Sequence, residues 1–362
     1  MLEAALRGLA WAAPAQAQPP SQPDSIFVLR NNDIGDLIIV TPIFEALRRR
    51  FPEARIVAGI GLWNRPVLWQ NPYVDEIIPL QAPWHNKYVH PQGWARALRY
   101  ILFHPEAASL AARRFSIGLD LLGSPAGSLL LMRGRVPFRI GVRGYAGGYS
   151  ATQRHIVFDP DERVGHAALR LAGLLGATSL PENKPQLFLS RAESEEAEQL
   201  WEASKPGGAC RRLLLAPGAG LPEKRWPVSQ WLEVAHRLAE DLTWQAIIVG
   251  SPEDWLLTEQ LRAAHRRARN LVLTLRQTLA LVSRADTLLC HSSMILHAAA
   301  AWNIPTVALL GPMFPSPRRH ARQWGHPNCT MLGEADPSQV IAALDRMSFD
   351  PSQGATELMS AG

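Results

Sequence analysis

The chain is poor in the features that mark several large protein classes. Its three cysteines, Cys210, Cys290 and Cys329, lie far apart with no C-x-x-C pair. That spacing argues against a disulfide framework or a cysteine-based zinc site and points to a reducing compartment, the cytoplasm. No apolar run reaches the ~20 residues a membrane-spanning helix needs, so a soluble or peripheral protein is expected. The spaced glycines of G-x-G-x-x-G are missing, which argues against a dinucleotide-dependent oxidoreductase. No helix-turn-helix, zinc-finger or RRM pattern is found, so nucleic acid is not expected as a partner.

What is present describes a globular protein with two cores. Of 362 residues, 47% are hydrophobic and 19% charged, and the length suits two domains of ordinary size. The formal charge of +5 suits an anionic substrate or peripheral contact with an anionic membrane face. The first 24 residues are rich in Ala, Gln and Pro, and Ala15-Gln16-Ala17 is similar to a signal-peptidase site. Glu3 and Arg7 nevertheless make the start a poor signal peptide. Residues 1–24 are therefore expected to form a flexible extension.

The organising stretch follows at once. An apolar strand, 26–29, empties into Arg30-Asn31-Asn32-Asp33-Ile34-Gly35-Asp36 and then into a helix over 37–50. Ile38, Thr41, Ile43, Phe44 and Leu47 give that helix its apolar face. Further strands are expected at 55–59, 76–80, 117–122 and 138–142, and the glycine-rich run 144–150 is expected to be mobile. A charged helix over 191–203 is broken by Lys205-Pro206-Gly207-Gly208. A second series then places strands at 212–215, 245–249, 271–273, 287–289 and 306–310, with a last helix from Asp336-Pro337 to Met347. Two alternating blocks predict an α/β protein with two doubly wound, Rossmann-like parallel sheets facing each other across a cleft. The expected boundaries are 25–190, a linker region 191–210, a second domain 211–349 and a flexible tail 350–362.

Four segments carry polar chemistry at expected strand ends, where open α/β sheets bind ligands. Asp36 is read either as a residue complementing a helix N-terminus or as a general base. In Pro217-Gly218-Ala219-Gly220-Leu221-Pro222-Glu223-Lys224-Arg225-Trp226, small residues allow close backbone approach and two cations offer charge to a phosphate. The alternative is a solvated basic loop pinned by Trp226, and adjacent side chains diverge, so at most one of Lys224 and Arg225 is expected to serve a ligand. Ser292, Ser293 and Met294 open an alanine-rich helix whose start suits an anion, and either serine is a cap candidate. His297 lies one turn further in, where a core histidine is the plainer reading. Ser251-Pro252-Glu253-Asp254 has the makings of a helix start, with Glu253 placed to accept from a ribose.

Taken in order, these segments resemble glycosyltransferase family nine, the bacterial heptosyltransferases. The resemblance runs through Arg30…Ile34-Gly35-Asp36…Thr41-Pro42, Asn71-Pro72-Tyr73-Val74-Asp75, Pro217-Gly218-Ala219…Lys224-Arg225-Trp226-Pro227 and Met294…His297-Ala298-Ala299-Ala300…Gly311-Pro312. It implies a GT-B fold and inverting, metal-independent transfer of a heptose or related sugar, with a nucleotide-diphosphate sugar as donor substrate and no cofactor. The donor would lie on the C-terminal domain and a lipid-linked or envelope glycan acceptor on the N-terminal one. By position, Asp36 matches the family's proposed base and Lys224 its donor-phosphate cation. Gly218, Ala219, Arg225, Glu253, Ser292, Ser293, Met294 and His297 fall on the donor side. Asn32, Gly35, Trp63 and Asn64, with residues 85–87, fall on the acceptor side. One departure stands out: the family's Asp-Ser/Thr-Gly is here Ser292-Ser293-Met294, lacking both carboxylate and glycine. That departure motivates the alternative of a nucleotide-sugar-binding homologue impaired in transfer.

Overall fold

The computed structural model describes residues 2–204, 211–314 and 316–349. The chain divides into two compact units, Met1–Phe188 and Leu189–Gly362. The expected breaker Lys205-Pro206-Gly207-Gly208 and the tail 350–362 lie outside the described residues.

The first unit holds β1 (Ser25–Arg30), β2 (Arg55–Ile60), β3 (Glu76–Pro79), β4 (Ile117–Asp120), β5 (Phe138–Arg143) and β6 (Arg154–Val157). They form one sheet in the order β3-β2-β1-β4-β5-β6, and every pairing is parallel. The second unit holds β7 (Arg211–Ala216), β8 (Trp244–Gly250), β9 (Arg269–Val272), β10 (Thr287–His291), β11 (Thr306–Leu310) and β12 (Cys329–Gly333). Its order, β12-β11-β10-β7-β8-β9, repeats the same winding, again all parallel. Each chain segment therefore starts mid-sheet, runs to one edge, then returns to fill the other. The reversal falls between β1 and β4 and between β7 and β10, where such sheets open a crevice at the strands' carboxyl ends.

Burial explains why these runs are strands. Every residue of β1, β10 and β11 is buried, as expected of parallel strands covered by helices on both faces. The two edge strands β6 and β12 were not legible as strands. Arg154-His155-Ile156-Val157 buries one residue of four, and the Cys329–Gly333 segment has no clear alternation.

Four expectations change. The helix expected over 37–50 is two helices, Ile34–Ile38 and Pro42–Arg50, because Pro42 starts the second and has no N–H to continue the first. The extension 1–24 is not featureless: Leu2–Ala12 is a helix with Leu6 buried. Its Glu3 accepts from the Gly148 N–H at 2.5 Å and the Ser150 N–H at 3.1 Å, which ties down the glycine-rich run. Beyond that helix, the buried Arg139 donates to the Pro14 carbonyl at 2.8 Å, and the Gln16 N–H donates to the Pro137 carbonyl at 2.9 Å. The segment 191–210 is not a linker over its described part. Arg191–Glu202 is a helix of the second unit, begun by a full capping box of Ser190 and Glu193, with Trp201 in the core.

That helix is clamped to the helix Leu275–Val282 by a two-pronged ion pair. Arg276 Nε and Nη2 each donate to a Glu193 carboxylate oxygen at 2.6 Å. The Arg276 hydrogen bond, aided by Ser190, holds the Glu193 carboxyl down at about 2, against an ordinary 4.5. A depressed carboxyl stabilises the folded state above its unfolded value and loses that contribution as pH falls through the folded one. Arg276→Gln is therefore expected to lower stability at neutral pH by roughly 2 kcal/mol. It should also flatten the loss of stability between about pH 4.5 and pH 2 seen in urea melts of the unmodified protein; an unchanged acid limb would contradict the assignment.

Candidate functional site

In the first unit, the segments that follow β1, β2 and β3 gather into one wired turn. The Asn32 carbonyl accepts from Trp63 Nε1 at 3.0 Å and Asn64 Nδ2 at 2.8 Å. Asn31 and Asn32 in turn donate to the Trp84 and His85 carbonyls at 2.8 and 2.9 Å. The Lys87 N–H donates to Asp33 at 3.0 Å, and Tyr88 stacks on Trp63 with centroids 4.6 Å apart. Asn32, Trp63, Asn64 and residues 85–87 are thus brought together as expected, but Asn32 and Asn64 are buried and hold the backbone. Their described contacts shape that strand edge from within.

Asp36 sits in the short helix Ile34–Ile38, two residues beyond Ile34 and one beyond Gly35, while Asp33 takes the cap position. Its carboxylate is 3.2 Å from Arg30 Nη2, and Arg30 Nε donates to the Asp36 carbonyl at 3.3 Å. Arg30 is 4% exposed and Asp36 28%, so a buried guanidinium presents a carboxylate that solvent can reach. On the neighbouring β4, Asp120 is buried and accepts from the Ser124 N–H at 2.8 Å and the Leu122 N–H at 3.1 Å. Burial pushes the Asp120 carboxyl up, opposed by those N–H groups and by Arg30. Sequence reading missed Asp120 as a neighbour of Arg30, because a strand-end carboxylate has no motif of its own. Its position at the start of the helix Pro125–Arg133 marks it as structural.

In the second unit, the turn after β7 is organised by Asp254. Its carboxylate accepts from Arg225 Nη2 at 2.9 Å and from Ser251 Oγ at 2.7 Å. A Cβ on Gly218 would overlap that same carboxylate, so the turn lies directly on it. Trp226 is buried, its N–H donating to His291 Nε2 at 2.7 Å and its indole to the Ala335 carbonyl at 3.1 Å. Of the two adjacent cations, Arg225 is therefore the one engaged by a carboxylate. Lys224 makes no ion pair with a carboxylate among the described residues. Its Nζ lies 5.8 Å from the Phe314 ring centre, and its backbone is seated against Gly311, where a Cβ would come within 2.6 Å of it. Ala219 is half-buried in the same turn, and its carbonyl faces Arg225 at 3.5 Å.

At the end of β10, the serines do not cap as expected. Ser293 occupies the cap position of the helix Met294–Ala301, yet its side chain makes no capping bond. Ser292 Oγ instead pairs with His320 Nε2 at 2.7 Å. Met294 is half-buried at the first helical position. His297 is a buried core histidine, its Nδ1 2.9 Å from His326 Nε2, and burial pushes its imidazole far below the usual range. Glu253 is exposed at the end of β8, next to the Ser251–Asp254 capping box. His320 was missed because its helix, Pro317–Trp324, fully buries none of its residues and has only Ala321 and Trp324 as apolar positions beyond its first proline. Ser316 followed by Pro317 was the available signal, and Ser316 does cap it.

The model for glycosyltransferase family 9 (heptosyltransferase) matches residues 106–335. Lipopolysaccharide heptosyltransferase 2 of Salmonella typhimurium is 28% identical over 305 residues, covering 80% of this chain and 83% of that protein. The Escherichia coli protein of the same name is 27% identical over 303 residues, with 80% and 83% covered. Among solved structures, a family 9 glycosyl transferase from Veillonella parvula has a TM-score of 0.75 at 17% identity, covering 92% of this chain and 99% of that one. E. coli ADP-heptose lps heptosyltransferase II has a TM-score of 0.69 at 23% identity, with 90% and 98% covered. An E. coli heptosyltransferase solved with ADP has a TM-score of 0.68 at 14% identity, with 89% and 99% covered. With well over half of its length matched by the family model, the chain belongs to glycosyltransferase family 9, the heptosyltransferases, and is a glycosyltransferase of the GT-B fold.

Proposed function

We propose that this glycosyltransferase moves a heptose or a related sugar, with inversion and without a metal ion, from a nucleotide-diphosphate donor to a lipopolysaccharide-core or similar envelope acceptor. The observation that carries the donor side is Lys224, a cation held at a strand end with no carboxylate partner among the described residues. It shares Phe314 with His320, which pairs with Ser292 just before the uncapped start of the Met294–Ala301 helix, and a departing diphosphate needs charge there. Asp36 supplies the other half of the chemistry. Its carboxylate takes the proton of the acceptor hydroxyl as that oxygen bonds to the anomeric carbon, and the bond from that carbon to the diphosphate oxygen breaks. The electron pair leaves with the diphosphate, whose charge Lys224 and the helix start stabilise, a role a divalent ion fills in other enzymes.

Arg30 orients the base through two contacts, one to its carboxylate and one to its carbonyl. Glu253 is the proposed ribose contact, and no cofactor is invoked. Free, buried Cys290 and Cys329 suit the cytoplasm. No helix among the described residues is long and apolar enough to cross a membrane. The helix Leu2–Ala12 does present Leu2, Leu9 and Trp11 outward, with Trp11 95% exposed. Tryptophan and leucine beside a basic side chain, Arg7, favour the interface of an anionic membrane, which is where a lipid-linked acceptor would be met.

Asp36→Asn and Asp36→Ala are expected to lose about 10²–10⁴-fold in transfer while still binding ADP; near-normal turnover would remove Asp36 as the base. Lys224→Ala should cost about 10²–10³-fold in kcat with an unchanged melting temperature. Arg225→Ala should instead lower the stability of the second unit by about 1 kcal/mol, and an exchange of the two phenotypes would reverse the assignment. Wild-type transfer should survive EDTA. In sedimentation with anionic vesicles, the bound fraction should fall several-fold in a Leu9→Ala, Trp11→Ala double variant; equal binding would place the membrane contact elsewhere.

A further inference from the structure

We propose that His320 is a second phosphate-side group of the donor site, one that takes up a proton when a nucleoside diphosphate binds beside Lys224. The inference rests on the donor reading of the Lys224 edge and adds to it a residue outside the motifs that carry the family resemblance.

The ring of His320 is held on three sides. Its Nε2 is fixed on Ser292 Oγ at 2.7 Å. Phe314 packs against one side with centroids 4.1 Å apart, and Trp324 stacks at 6.3 Å with planes 23° apart. Phe314 is also the ring that Lys224 Nζ approaches at 5.8 Å, so the ammonium and the imidazole flank one aromatic spacer. Ser292, at the carboxyl end of β10, joins both to the start of the Met294–Ala301 helix. A cation, an imidazole and a hydroxyl thus converge on one strand edge. The charged groups nearby are mostly basic, with the exposed Glu223 beside Lys224 as an acidic neighbour. Lys224 comes from the turn after β7, His297 from the Met294–Ala301 helix and His326 from the segment before β12, while Arg318, Arg319 and Arg322 lie on the histidine's own helix. No carboxylate among the described residues pairs with His320.

In this setting burial, with Lys224 adding to it, holds His320 neutral, its imidazole pushed down to about 4. A diphosphate arriving beside Lys224 reverses the local sign, because its two or more negative charges outweigh one ammonium. The imidazolium form then becomes favourable, and its N–H groups can be shared between Ser292 Oγ and a phosphate oxygen. A carboxylate at the position of Ser292 would have charged the histidine in advance. With serine there, the negative partner has to come from the ligand.

Titration calorimetry of the full chain with ADP, UDP and GDP at pH 6, in two buffers of different protonation enthalpy, reads the proton directly. The expected result is uptake on the order of half a proton per nucleotide at pH 6, fading by pH 8. His320→Gln should abolish the uptake and weaken binding about 3- to 10-fold at pH 6 but little at pH 8. Imidazole nitrogen NMR of the unmodified chain provides a readout free of folding artefacts: the His320 ring should pass from neutral to protonated on adding ADP. Binding without proton uptake, or uptake that persists in His320→Gln, would overturn the inference and leave the donor reading standing. Failure of all three nucleotides to bind would overturn both.

Discussion

The turn after β7 depends on a single carboxylate. Asp254 receives Arg225, receives Ser251, and lies directly beneath Gly218, so it fixes a helix start and a strand-end turn at once. Because Arg225 is committed to that pair, the chain leaves the turn with Lys224 directed elsewhere, over Phe314 and against Gly311. One cation is neutralised by Asp254, and the next makes no ion pair with a carboxylate among the described residues. Neither residue type nor spacing reveals this division of labour; it follows from which of two adjacent side chains finds a partially buried anion first.

The two units use one winding for opposite chemistry. Both sheets reverse order at their first strand, and both place a polar turn there. The first unit ends that strand in arginine and asparagines that brace an acidic helix start. The second ends it in Pro217, Gly218 and Ala219 and follows with cations. Identical topology without sequence repetition is what a backbone-level solution looks like: burial on both faces specifies the strands, while the loops remain free to diverge.

This contrast also explains what could be read from sequence. The eight inner strands showed as apolar runs because parallel strands covered on both faces must be apolar, and the edge strands β3 and β9 showed through the short apolar pairs Ile77-Ile78 and Leu271-Val272. The edge strands β6 and β12 did not show, since Arg154, His155 and Thr330 face partial solvent. Asp36 and Lys224 were legible because each follows a strand in a recognisable family segment. His320 was not, since its half-buried helix is mostly Arg, Gln and His and offers no apolar run to read. The wiring of Asn32 by Trp63 and Asn64 was invisible for a different reason: it joins the ends of two strands far apart in sequence, and only the fold brings them together.

The docked amino-terminal segment bears on how this protein is handled. Arg139 is buried in the first unit, and burial brings its guanidinium down to about 10. It spends donors on the Pro14, Val136 and Ala151 carbonyls. A version trimmed to begin at Ser25, on the view that the alanine-rich start is a dispensable leader, would strip one of those carbonyls from a buried charge. It would also release the Gly148 and Ser150 amides from Glu3. Tags and truncations placed there act on the core of the first unit.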